Sequence, residues 1–238
     1  MTSPEPDLTW QPLYRIGGIA AMAFVVMVFI PLTLLVAAPV PPTDGRALLE
    51  YIATHRIVYL TQLVCFVGLA IPALVVFAAV AVALAGVSKG VAAIGGLFGV
   101  GSEVVALAVG SSPQSLHGGL VLLSDAYLAA GSDAERTGLV ASAQALVAAT
   151  NAMPWAGVLT ALAILVLSLS ARPVFGGTLA AVGLATGALG VLSEAFRPIT
   201  GAGYLLYGLL LPLWFGWIGW KLLRLRQHHE SPSPSPAS

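Results

Sequence analysis

Two glutamates carry the chemistry this chain can do. Glu103 and Glu194 are the only acidic residues well inside long apolar runs, and each ends the same pattern, G-x-x-G-V-x-S-E, read from Gly96 to Glu103 and from Gly187 to Glu194. An ionised carboxylate in hydrocarbon costs roughly 3 kcal/mol on insertion scales, so such a group is expected to be protonated, paired or beside water. A protonated carboxyl can serve as a general acid or pass a proton on. Glu103 lies 13 residues beyond Gly90, the start of its run, which is about 20 Å along a helix at about 1.5 Å per residue. Glu194 has Arg197 at i+3, and a local ion pair near the membrane surface accounts for it more readily than chemistry does. Phe98, Tyr204, Tyr207 and Trp214 are the aromatic candidates for lining a lipophilic substrate or stabilising positive charge beside such an acid.

Other chemistries find no residues. Cys65 is the single cysteine, which excludes a disulfide framework, a CxxC redox pair and a thiolate metal cluster. His55 and His117 fall in loops and His228 and His229 in the carboxy-terminal tail, without the spacing of metal or haem ligands. No metal site and no cofactor is expected. The chain has no G-x-S-x-G, Walker, H-E-x-x-H or dinucleotide fingerprint. Gln62, Gln144, Asn151 and Ser168 are expected to form interhelical hydrogen bonds, each contributing about 0.6 to 2 kcal/mol.

The elements that must position the glutamates follow from composition. Of 238 residues, 58% are hydrophobic and 8% charged, with a mean hydropathy of +0.94; a soluble domain is about a quarter charged. A soluble globular protein is excluded. A formal net charge of zero without a basic stripe excludes nucleic acid as partner. Six runs approach the roughly 20 apolar residues needed to cross a bilayer. They are Ile16 to Ala38, Ile57 to Val87, Gly90 to Gly110, Pro154 to Ala171, Gly176 to Phe196 and Ile199 to Trp220. Pro72 should kink the second. Asp133 to Ala152 reads as an amphipathic helix approaching the fourth, opened by Ser132 and Glu135 in capping-box spacing. The expected architecture is an all-α integral membrane protein: a cytoplasmic segment 1–13, a six-helix transmembrane domain 14–226 and a disordered Ser- and Pro-rich tail 227–238.

With six spans and both termini inside, Arg15, Lys89, Arg172, Lys221, Arg224 and Arg226 fall on the cytoplasmic side, and Arg46, Arg56, Arg136 and Arg197 outside. The first run carries Glu5 and Asp7 ahead of it and reads as an uncleaved span rather than a signal peptide. Leu116 to Ala130 competes as a seventh span, but it has only 15 residues, contains His117 and Asp125, and would put the basic tail outside; an interfacial or re-entrant segment is preferred. Leu48, Leu49 and Ile52 give the loop Pro39 to Arg56 an amphipathic stretch expected to lie on the outer surface as a cap.

Spans three and five each carry a small-residue stripe ending in a glutamate: Ala92, Gly96, Gly99, Glu103, and Gly183, Gly187, Gly190, Glu194. Either spans two with three and four with five are tandem two-helix repeats, or 26 glycines in an apolar chain match by chance. If the two stripes face each other, both carboxylates line one cavity opening outward.

Arg15-Ile16-Gly17-Gly18 at the opening of span one and the Arg172-Pro173 turn before the glycine-rich fifth span resemble a family of bacterial six-helix membrane proteins classed only as a domain of unknown function. The resemblance implies the topology over residues 14 to 222 and supplies no site. With only two lysines and a bias to Ala, Gly, Val and Arg, the chain reads as bacterial, which places it in the inner membrane. The partners expected are the lipid bilayer, a lipophilic small molecule and, in one reading, further copies of the chain. Three functions remain open: a bundle that binds or scaffolds a lipophilic ligand or membrane partner, an intramembrane enzyme with Glu103 as acid on an isoprenoid-like substrate, and a small proton-coupled transporter.

Overall fold

A computed structural model describes residues 7–34, 36, 38–110, 116–152, 155–197 and 203–225, which are almost wholly helical, with no strand. The helices are α1 (Gln11–Leu34), α2 (Gly45–Thr54), α3 (Arg56–Gly68), α4 (Ala70–Leu84), α5 (Lys89–Val109), α6 (Gly118–Ala129), α7 (Asp133–Ala152), α8 (Trp155–Leu169), the single turn α9 (Arg172–Phe175), α10 (Gly177–Ala195) and α11 (Gly203–Arg224). Six stretches are long and apolar enough to cross a membrane: α1, α3 with α4, α5, α7 with α8, α10, and α11 from Tyr204. Arg226, His228, His229 and the tail 227–238 lie outside the described residues.

Local chemistry sets the ends. The first helix starts five residues before Ile16 and takes Gln11 to Leu13 from the segment expected to precede it. Asp7 Oδ1 accepts hydrogen bonds from Thr9 N and Thr9 Oγ1 at 2.9 and 2.8 Å, a short 3-10 turn follows, and Pro12 needs no partner in a first turn. The second span breaks at Leu69. Pro72 has no N–H for the carbonyl of Gly68, and the Leu69 N–H is shared between the carbonyls of Cys65 and Val67. Ser88 Oγ accepts from Val91 N to open α5, and Gly110, at φ +62°, closes it in the left-handed region. Ser132 Oγ accepts from Glu135 N at 3.2 Å as the capping box requires, but Glu135 Oε2 accepts from Gly131 N, one residue further back.

The long helices form a closed up-and-down ring in chain order: α1 on α4, α4 on α5, α5 on α8, α8 on α10, α10 on α11, and α11 back on α1. Glycines set the close approaches. A Cβ on Gly99 would stand 2.3 Å from the Phe77 ring, one on Gly187 2.6 Å from Leu165 Cβ, and one on Gly18 2.5 Å from Leu223 Cγ. With so little driving force between helices in lipid, such backbone proximity supplies the packing. Phe24, Phe77, Trp214 and Phe215 fill the centre of the ring: Phe24 stacks on Phe215 at 3.8 Å, and Phe77 meets Trp214 and Phe215 at 6.2 and 5.7 Å. The outward surface remains apolar, with Ile57, Leu97, Leu205 and Leu209 all well exposed.

Outside the ring, α2, α6 and α7 pack on one another around a second core. Leu48, Leu49 and Ile52 were expected to face a surface; they are buried against protein, with Leu120, Tyr127, Ala143 and Val147 in the same cluster. Gly45 N donates to Gln144 Oε1 at 2.7 Å and Ser124 Oγ to the Leu49 carbonyl at 2.8 Å. Leu116 to Ala130 is represented by α6, whose 12 residues rise about 18 Å. Arg56, at the head of α3, pairs bidentately with Asp125 of α6, Nη2 to Oδ2 at 3.0 Å, and ties this cap to the ring.

Candidate functional site

Glu103 and Glu194 come together, but through an intermediary. The small-residue stripes of α5 and α10 do not meet; α8 packs between the two helices and each uses a different side of it. Thr160 Oγ1 donates to Glu103 Oε1 at 3.1 Å. One turn away on α8, Gly157 leaves the space that Glu194 fills, since a Cβ there would stand 2.4 Å from the Glu194 Cδ. Three residues of helix separate the two anchor points by about 4.5 Å. Both carboxylates are enclosed, at 6% and 2% exposure, rather than opening outward.

Their partners differ in charge. Glu194 accepts from Arg197 Nη2 in an ion pair and from Tyr204 OH at 3.1 Å. The Arg197 guanidinium also lies 5.3 Å from the centre of the Tyr204 ring. Glu103 Oε1 accepts from Ser102 Oγ at 3.1 Å and from Thr160, and no cation pairs with Glu103 among the described residues. Tyr207 is buried with its ring over Gly190, where a Cβ would be 2.5 Å away. It lies within electrostatic reach of both carboxylates.

Of the aromatic candidates, Tyr204 and Tyr207 therefore join the glutamates, while Phe98 and Trp214 pack into the apolar core. Trp214 faces Gly183, eleven residues along α10 from Glu194 and so about 16 Å away. Thr160 and Gly157 are the site residues that sequence reasoning missed. A threonine in an otherwise apolar run was the available signal, but only packing shows that its hydroxyl turns toward Glu103. Of the polar residues expected to bridge helices, Ser168 packs where α8 meets Gly183 and Trp214, and Gln144 serves the cap. Gln62 is buried, and its Oε1 has no hydrogen-bond partner among the described residues. The side chain of Asn151 lies outside the described residues.

The arrangement can hold a neutral ion pair beside a hydroxyl-solvated carboxyl group. No three His, Cys, Asp or Glu side chains gather as metal ligands among the described residues. No family model, curated protein or solved structure matches this chain.

Proposed function

We propose that this chain is a multi-pass protein of a bacterial inner membrane, with both termini cytoplasmic, whose helix ring binds or scaffolds a lipophilic ligand or membrane partner. The observation that carries the binding or scaffolding reading over transport is the filled interior. The stack of Phe24, Phe77, Trp214 and Phe215 occupies the centre of the ring, where a transport pathway would have to run. The orientation draws support from the distribution of charge. Arg15, Lys89, Arg172, Lys221 and Arg224 share one end of the up-and-down ring with Asp7, whereas most acidic residues belong to the cap and the opposite end. Lys221 and Arg224 lie over the Trp220 ring at 5.6 and 3.9 Å, as in an aromatic belt with a basic anchor.

The tandem-repeat reading gains support as well. Gly96 and Gly99 face the preceding span at Ala81 and Phe77, and the equivalent Gly187 and Gly190 face the preceding span at Leu165 and Ala161. The resemblance to the bacterial six-helix family belongs to the same proposal.

One observation favours a second reading. Glu103 is held by two neutral hydroxyls with no cation among the described residues, the setting of a neutral carboxylic acid able to donate a proton to a lipophilic substrate or to couple transport. Infrared difference spectra of the reconstituted protein, compared with Glu103→Gln, separate the readings when combined with a ligand assay. The binding reading expects a co-purifying lipophile retained in Glu103→Gln. Loss of product formation or of pH-dependent flux in that variant, with the fold intact, overturns it.

A further inference from the structure

The outer face of α1 presents one feature that neither the carboxylate site nor the ring packing uses. At its amino-terminal end, Gln11, Pro12, Arg15, Ile16 and Ile19 line a groove of about 470 Å³. Arg15 is exposed and makes no hydrogen bond or ion pair among the described residues. Below it, Ile16, Ile19, Ala23, Val26 and Ile30 continue as one exposed stripe at helical spacing. From Ile16 to Ile30 the stripe runs about 21 Å, the length of an extended acyl chain.

We propose that this face holds one anionic phospholipid, its headgroup phosphate on Arg15 and Gln11 and one acyl chain along the stripe. Charge complementarity selects the headgroup. The end of the ring that carries Arg15 also carries Lys89, Arg172, Lys221 and Arg224, against Asp7 as the one acidic residue described there, and a guanidinium binds phosphate in bidentate fashion. A second copy of the chain fits this face poorly. Two copies inserted in the same orientation and related by a two-fold axis would bring Arg15 against Arg15. The small residues of α1 that permit close helix contact are already used inward, Gly17 on Ala79 and Gly18 on Gly219 and Leu223.

The assignment rests on the transmembrane reading of α1, and alkaline extraction of membranes tests that separately: a chain released into the supernatant fails the placement itself. For the site, the full-length protein in mild detergent is incubated with equal amounts of phosphatidylglycerol and phosphatidylcholine, and retained lipid is counted by native mass spectrometry. Phosphatidylglycerol should be retained preferentially. Arg15→Gln should lower that preference about fivefold, Arg15→Lys should keep most of it, and Arg136→Gln, in the cap, should leave it unchanged. Equal retention of the two lipids by the unaltered protein overturns the proposal, as does an unchanged preference in Arg15→Gln. A dimer that disappears in Ile19→Arg also overturns it, in favour of a second copy on this face.

Discussion

Arg197 and Glu194 form a buried pair, and the worth of such a pair shows only when one partner is removed. Arg197→Gln leaves a carboxylate at 2% exposure without its cation and should destabilise the protein by about 3–5 kcal/mol. Glu194→Gln combined with Arg197→Gln should recover most of that, as read by thermal unfolding in detergent. Glu103→Gln keeps an oxygen to accept from Ser102 and Thr160, so its melting temperature should fall only slightly, by an amount worth about 1 kcal/mol or less. A large loss there would mean that Glu103 is ionised and neutralised by a group not described above. In the cap, the hydrogen bond and charge of Arg56 hold the Asp125 carboxyl below its ordinary range. A group with a depressed folded value adds stability above its unfolded value and loses it as pH falls. The protection of α6 against amide exchange, relative to the intrinsic rate, should therefore fall below about pH 4, and Asp125→Asn should remove that pH dependence.

Neighbouring glycines of one helix do opposite jobs. On α5, Gly99 lies against the Phe77 ring, while a Cβ on Gly101 would meet nothing within 4 Å. Gly99→Ala should destabilise by about 1–3 kcal/mol through overpacking. Gly101→Ala should be neutral or stabilise by up to about 1 kcal/mol, because alanine restricts the unfolded chain and favours helix. Comparing the two variants by thermal melt separates packing from propensity on a single element. The same reasoning explains why α8 holds the site: Gly157 is absent bulk and Thr160 is a donor, one turn apart, so one turn of a single helix receives both glutamates from its two sides.

The ring closes because each connection between long helices returns the chain antiparallel to the previous helix, and an even number of such helices brings α11 back to α1. This geometry puts both ends of the ring's chain on one side of it. Thr9 and Thr137 lie at opposite ends, the first ahead of α1 and the second on α7 of the cap. With Cys65 replaced by alanine, the proposed orientation expects an impermeant maleimide to label Thr9→Cys only in inverted vesicles and Thr137→Cys only in right-side-out ones. Labelling of both from the same side would break the six-span topology.

Composition and apolar run length determined the helical class, six candidate spans and most of their boundaries, because a helix able to cross a bilayer is a local property of about 20 residues. The glutamates were also legible: a lone acid in an apolar run is conspicuous whatever surrounds it. Helix ends shifted by a few residues where a side-chain cap decided them, as Asp7 does ahead of α1. What each stripe faces was not legible, since small residues recur on every helix and spacing along one helix names no partner. Only the ring order set α8 between α5 and α10, sent Trp214 to the apolar centre and Tyr204 to Glu194, and turned the α2 amphipathic face onto protein. Those outcomes depend on contacts between residues far apart in the chain, which tertiary packing alone selects.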